Sequence, residues 1–227
     1  MVMTETTTPP ENFLPETAAP ELAEETYQRL LNMIALGRIP RDVPLQERTL
    51  AAALGVSRTP LREAISRLIG GGFASRAGRG QLMVKEPSLR DYLSILQLRQ
   101  LLEGESAANA AGRMPPALAA SLITQIEQHR VAHDGSIYEN HRIDNLVHMT
   151  IAAHSGNTML EQLIFDLRIK ARSFDQNGTA ARFEPGCEEH IAILRHITNG
   201  DAAGARAAMV RHLAQVRAGI VARFTEF

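Results

Sequence analysis

The segment Ser57-Arg58-Thr59-Pro60-Leu61-Arg62 places hydroxyls, a proline and two guanidinium groups directly after the apolar run LAAALGV at 50–56. Arg58 and Arg62 are four residues apart, so on a helix they share one face. Guanidinium forks at the leading end of a helix suit bidentate hydrogen bonding to guanine, worth about 1–3 kcal/mol of discrimination per pair. Thr59, Pro60 and the helix N-terminus itself can approach phosphate, and Ser57, at the start of the helix, joins the DNA-binding set. A second set of residues suits a metal ion. Asp144 and His148 stand four apart on one helical face, and His190 and His212 flank the break Asn199-Gly200-Asp201. At about 1.5 Å per residue, both of these histidines lie roughly 15–18 Å from that turn, so an antiparallel helix pair sets them side by side. A carboxylate with imidazoles and no thiolate suits Zn²⁺ first, with Mn, Fe, Co or Ni as alternatives. Taken singly, each histidine reads more readily as an ordinary hydrogen-bonded polar residue; the four together point to a metal.

The elements that must position these groups follow from the pattern. Residues 1–20, rich in Thr, Pro, Glu and Ala, predict a flexible arm. Tyr27, Leu30, Leu31, Ile34 and Ala35 recur at helical spacing up to Gly37. LQERTLAAALG predicts a short helix stopped by Gly55, Ser57 is a suitable N-cap for the next, and the glycines at 70–72 end that one. FASRAGRGQLMV reads as two short strands around a glycine-rich loop. Helical patterns then dominate, over 89–112, 116–133, 137–154, 158–174, 186–198 and 201–224. The expected fold is mainly α. An N-terminal winged helix-turn-helix with a small β-hairpin wing (21–86) precedes a C-terminal all-α antiparallel bundle (87–227). Leu163, Phe165 and Leu167 are expected in the bundle core.

Charge divides the chain in the same place. Of its 227 residues, with a formal net charge of −1, the span Arg38–Lys85 carries nine Lys/Arg against three Asp/Glu, a net of +6. The remainder therefore sums to −7, and such asymmetry suggests that the basic part meets a polyanion. In that part Arg48 suits a backbone phosphate, Gly78 lets the chain approach the sugar-phosphate edge, and Arg79 reaches a phosphate or the minor groove. No apolar run approaches the roughly 18 residues of a membrane span. The N-terminus lacks the cationic and apolar regions of a secretory signal, and the single Cys187 excludes an internal disulfide and cysteine-rich metal sites. The expected compartment is the cytoplasm, with no membrane partner.

The stretch PLQERTLAAALGVSRTPLREAISRLIGGGFASRAGRG resembles the winged helix-turn-helix of the GntR family of bacterial transcription regulators, with SRTPLREA the most diagnostic piece. That resemblance covers about residues 22–86 and implies DNA contacts by Arg48, Arg58, Arg62 and Gly78. PRD stands where the family often has Pro-Gly, and IGGG replaces a more polar helix end. LQLRQLLEGESAANAA at 96–111 resembles the opening helix of the FadR-like, all-helical ligand domain called FCD. This implies that Asp144, His148, His190 and His212 act together as metal ligands. His141, seven residues before His148, lies about 10 Å from it along the helix and is set aside. His129, His133, His154 and His196 read as surface or structural. Arg99 is either paired with Glu103 or, by the resemblance, a bidentate clamp for an effector carboxylate, with Arg172 as a second candidate. Val147 stands where relatives often carry phenylalanine.

These residues imply a dimeric, DNA-binding regulator, in the first instance a repressor released from operator DNA by a small carboxylate at the metal site. A metal-dependent enzyme with an appended DNA-binding module and a metal-ion sensor are the competing readings. No paired general base stands near the candidate ligands in sequence, which disfavours the enzyme.

Overall fold

The computed structural model describes residues 18–40, 43–78, 81–85, 88–132, 135–174 and 182–225. The described residues form two compact units, one drawn from Met1–Met33 and Arg41–Lys85, the other from Ile34–Pro40 and Glu86–Phe227.

In the first unit, α1 (Ala18–Ala35, as far as Met33), α2 (Glu47–Leu54) and α3 (Arg58–Gly70) precede a two-stranded antiparallel sheet of β1 (Ala74–Arg76) and β2 (Leu82–Val84). Ala74 pairs with Val84 and Arg76 with Leu82, and Leu45 extends the ladder by bridging Leu82 from the other side. The turn between α2 and α3 rests on Gly55, whose φ of 68° costs a glycine nothing and ends α2. Leu30 and Leu31 of α1, Leu61, Ile65 and Leu68 of α3, and Leu82 of the wing are fully buried. Each contributes about 1.5–3 kcal/mol through apolar burial. Arg67 anchors α3 to α1, donating to Glu24 at 2.5 Å and lying over the Tyr27 ring at 4.0 Å.

The second unit is all helical among its described residues: α4 (Leu89–Ala110), α5 (Pro116–Val131), α6 (Ile137–Ala153), α7 (Thr158–Phe174), α8 (Phe183–Thr198) and α9 (Ala202–Thr225). Ser88 and Asp91 close a reciprocal capping box at the start of α4. α4 packs closely on α9 at Gly104, where a Cβ would meet a Val210 methyl at 2.8 Å. The main core gathers Leu122 and Ile126 of α5, Ile143, Val147 and Ile151 of α6, Ile191, Ile193 and Leu194 of α8, and Met209 and Leu213 of α9.

Three expectations need correction. α1 begins at Ala18, inside the segment expected as an arm, and α8 begins at Phe183 rather than 186. In both helices a proline (Pro20, Pro185) sits in the first turn, where its missing N–H costs no hydrogen bond, so neither acts as the breaker it resembles in sequence. Leu163 is 47% exposed, because the buried stripe of α7 runs through Leu160, Ile164, Arg168 and Ala171.

Candidate nucleic-acid interface and metal centre

Arg58 and Arg62 are exposed in the first turns of α3, while Pro60, Leu61, Ala64, Ile65 and Leu68 carry the helix into the core. The apolar positions leave the two arginines only the outer face. Ser57 occupies the N-cap position with extended backbone (φ −73°, ψ 169°), yet its hydroxyl makes no capping hydrogen bond. The first-turn N–H groups of α3 therefore have no partner in Ser57, unlike those of α4 in Ser88. Thr59, Arg48 and Gly78 are exposed, and Arg79 lies outside the described residues. Arg48 and Arg58 make no ion pair among the described residues. Arg62 does: its Nε donates to Glu47 Oε2 at 3.0 Å, and Glu47 Oε1 accepts from Arg76 Nη1 of the wing at 2.6 Å. Nothing in the spacing of Glu47, Arg62 and Arg76 indicates that bridge.

In the helical unit, Asp144 and His148 of α6, His190 of α8 and His212 of α9 each offer one ligand atom, all within 4.8 Å of one another. His148 Nε2 lies 3.1 Å from His190 Nε2, and Asp144 Oδ1 is 3.5 Å from both nitrogens. Ligand atoms held at 2.0–2.1 Å by one tetrahedral ion stand about 3.4 Å apart, so these separations fit such an ion. The ring orientations fit as well. His148 Nδ1–H donates to Glu103 and His212 Nδ1–H donates to Glu189 Oε2, the latter at 2.7 Å, leaving each Nε2 for the centre. Burial, reinforced by Arg168, pushes the His148 imidazole down to about 4. Burial and the neighbouring His212 and His148 push His190 well below its ordinary value. Both rings are thus neutral near pH 7, as ligation requires.

Around the ligands stands a shell of ion pairs. Arg99 donates to Glu103 at 2.5 Å, the first of the two roles considered for it. Arg168 of α7 donates through Nη2 to Asp144 Oδ2 at 2.6 Å and through Nε to Asn145 Oδ1 at 3.2 Å. Burial alone would raise the Asp144 carboxyl, but Arg168 and the adjacent rings hold it well below the usual carboxylate range. Nη1 of Arg168 is buried without a hydrogen bond, 3.7 Å from Glu103 Oε2. Arg172 is half-buried one turn further along α7. Arg182 and Glu189 pair at 2.5 Å behind His212. His129 bonds Asn140, His154 the Thr150 carbonyl and His196 Asp201, in keeping with structural roles; His133 lies outside the described residues.

Arg168 and Glu189 were not anticipated from sequence. Arg168 did leave a trace: a cation four residues after Ile164 occupies the apolar stripe of its helix, as Arg99 and Glu103 do on α4. Glu189 left none, since its neighbour His190 faces the centre from a different side of α8.

A winged helix-turn-helix with an outward-facing cationic helix, joined to a helical unit built around a polar centre, defines a DNA-binding transcription regulator with a ligand domain. Residues 22–84 match the bacterial regulatory proteins of the gntR family, and residues 94–215 match the FCD domain. The chain belongs to the gntR family and carries an FCD domain. It is a regulator and not an enzyme. It is 30% identical, over 86% of its length and 84% of the relative's, to an Escherichia coli protein described as an L-lactate dehydrogenase operon regulatory protein. Over 40% of each chain it is 31% identical to a Paenarthrobacter nicotinovorans protein described as a D-xylose utilization operon transcriptional repressor. Among solved structures, E. coli McbR/YncC shares the fold at a TM-score of 0.78 and 21% identity, covering 89% of this chain and 98% of that one. A Rhodococcus GntR regulator does so at 0.70 and 20%, covering 89% and 98%. No described helix is long and apolar enough to cross a membrane.

Proposed function

We propose that the chain is a homodimeric repressor that leaves double-stranded operator DNA when a small carboxylate binds at a divalent metal held by Asp144, His148, His190 and His212. The winged unit, residues 21–86, reads DNA with Arg58 and Arg62 on base edges. Arg48, Ser57, Thr59, Gly78 and Arg79 contact the backbone. The helical unit, residues 87–227, binds the effector and the second copy. The observation that carries the effector reading is the convergence of four ligand atoms within 4.8 Å at a charge-balanced centre. Glu103 and Asp144 balance Arg99 and Arg168, and the His148 and His190 imidazoles are neutral. A divalent ion, with Zn²⁺ the first expectation, adds two buried positive charges, which an anionic ligand offsets. When bound, the ion supplies Lewis-acid coordination for the effector's oxygens.

Arg168 Nη1, buried and without a hydrogen bond, offers the carboxylate a donor, and Arg172 stands beside it as a further cation. Arg99 acts through Glu103, which orients His148. The lactate operon in the name of the E. coli relative favours a 2-hydroxy acid, which offers two oxygens on adjacent carbons. Release follows if effector and operator favour different arrangements of the two winged units, a reciprocal coupling of typically 1–3 kcal/mol. A dimer matches the two-fold symmetry of palindromic half-sites. Exposed Leu98 and Leu101 of α4 and Met159 and Leu163 of α7 offer the second copy an apolar surface.

Thermal-shift measurements on zinc-loaded and chelator-treated protein with a panel of small carboxylates test this reading. Zinc is expected to raise the melting temperature, and a 2-hydroxy acid to raise it further only when zinc is present. Ligand at about a hundredfold its Kd adds about 2.7 kcal/mol. Stabilisation by zinc without any further response to carboxylates, together with zinc-dependent release of DNA, would favour the metal sensor instead.

A further inference from the structure

The cationic surface of the winged unit contains a carboxylate that its location does not favour. Glu47 opens α2 beside Arg48, and its side chain is 18% exposed. A negative charge there repels phosphate and lowers affinity for any duplex. Part of its role is ordinary, since an acidic residue in a first turn complements the helix dipole. The dipole does not account for its two partners. Oε2 accepts from Arg62 of α3, and Oε1 accepts from Arg76 of the wing. Both arginines hold the carboxyl below its ordinary value, Arg76 the more strongly, so it is ionised at neutral pH.

The contact with Arg62 uses Nε alone. The side chain remains 64% exposed, and its terminal nitrogens make no hydrogen bond among the described residues. Those terminal nitrogens can form the fork that guanine accepts. An unrestrained arginine loses rotamer freedom on binding and can turn to the nearest phosphate instead. One held by its inner edge loses less and has fewer alternatives.

We propose that Glu47 is a positioning residue for sequence readout: it holds Arg62 by Nε with the terminal nitrogens clear of the ion pair, ties α3 to the wing through Arg76, and trades indiscriminate duplex affinity for base discrimination. The inference rests on α3 being the reading helix.

The test is a binding selection on the full-length protein from duplexes with a randomised central 30 base pairs. The selected DNA is sequenced for the intact chain and for Glu47→Ala, Glu47→Gln and Arg62→Ala. In parallel, affinity for one fixed duplex lacking the selected motif is measured at 50 and 200 mM salt. Arg62→Ala identifies the base position that Arg62 reads. Glu47→Ala is expected to reduce preference at that same position by about fivefold or more. It should bind the fixed duplex as tightly as the intact chain or a few-fold tighter, with a log–log salt slope steeper by about 1 as the released arginines reach phosphate. Glu47→Gln, which keeps the shape and one acceptor oxygen, is expected to fall between the two. If Glu47→Ala and Glu47→Gln select the same bases as strongly as the intact chain, while Arg62→Ala does not, the inference is overturned and the reading helix stands. Equal loss of motif and fixed-duplex binding in both Glu47 variants would reduce Glu47 to a structural residue and overturn it as well. If the intact chain selects no motif, the reading helix fails and this inference fails with it.

Discussion

Arg62 keeps 64% of its side chain in solvent and Arg168 keeps 6%, and the partners of the two arginines differ accordingly. Outside, Arg48 and Arg58 make no ion pair among the described residues, and Arg62 touches a carboxylate with one edge. Inside, Arg99 and Arg168 face Glu103 and Asp144 at hydrogen-bonding distance. Water pays the solvation of an exposed cation, so the winged unit can keep its positive charge available for a polyanion. A buried ion left alone costs several kcal/mol, so the helical unit must neutralise every charge within itself. On the proposed reading, the outer site is completed by DNA, and the inner site is balanced until a metal ion unbalances it.

The largest expected effect breaks the inner balance. Glu103→Ala leaves Arg99 without its partner and Arg168 with one fewer, and should destabilise the protein by about 3–5 kcal/mol. For a chain of this length that is roughly a 10 °C fall in melting temperature. Arg58→Ala, on the outer face, should change stability by no more than about 0.5 kcal/mol. Equal shifts in the two variants would erase the contrast. Next, His148→Ala and His190→Ala should each lose the bound ion in elemental analysis. With them should go the stabilisation that saturating zinc gives the intact chain, about 4 kcal/mol at a thousandfold its Kd; full occupancy in both variants would refute the ligand set. A smaller effect sharpens the outer side: Arg58→Ala and Arg62→Ala should each remove about 1–3 kcal/mol of discrimination at one base position, measured by competition between matched and mismatched duplexes. Smallest is Arg48→Ala, expected to weaken binding to all sequences alike and to lower the salt slope by about 0.9, as for a single phosphate contact.

The two regions also differ in how far sequence discloses them. The proposed reading helix is local: Gly55, Ser57, the Arg58/Arg62 face and the Leu61–Leu68 stripe lie within one short stretch, where periodicity and charge act together. The candidate metal centre is assembled from three helices. Spacing along one helix pairs Asp144 with His148, and spacing about one turn pairs His190 with His212, but bringing the pairs together is a matter of tertiary packing that only the family resemblance supplied. The shell behind the ligands was less legible still. Glu189 reaches from α8 to a histidine on α9 with nothing in the intervening residues to indicate it, and Glu47 joins two arginines 14 residues apart in sequence. The errors at Pro20 and Pro185 are instructive: a proline marks the edge of a helix, but the sequence alone does not say whether the edge lies before it or after it.

Selection from random duplexes, run on the intact protein and on the Arg58→Ala/Arg62→Ala double variant, asks whether α3 reads DNA. The intact chain should recover an inverted repeat, and the double variant should recover none while keeping its melting temperature and bound zinc. Recovery of the same repeat at equal strength by the double variant, or of no repeat by the intact chain, would mean that α3 does not read an operator.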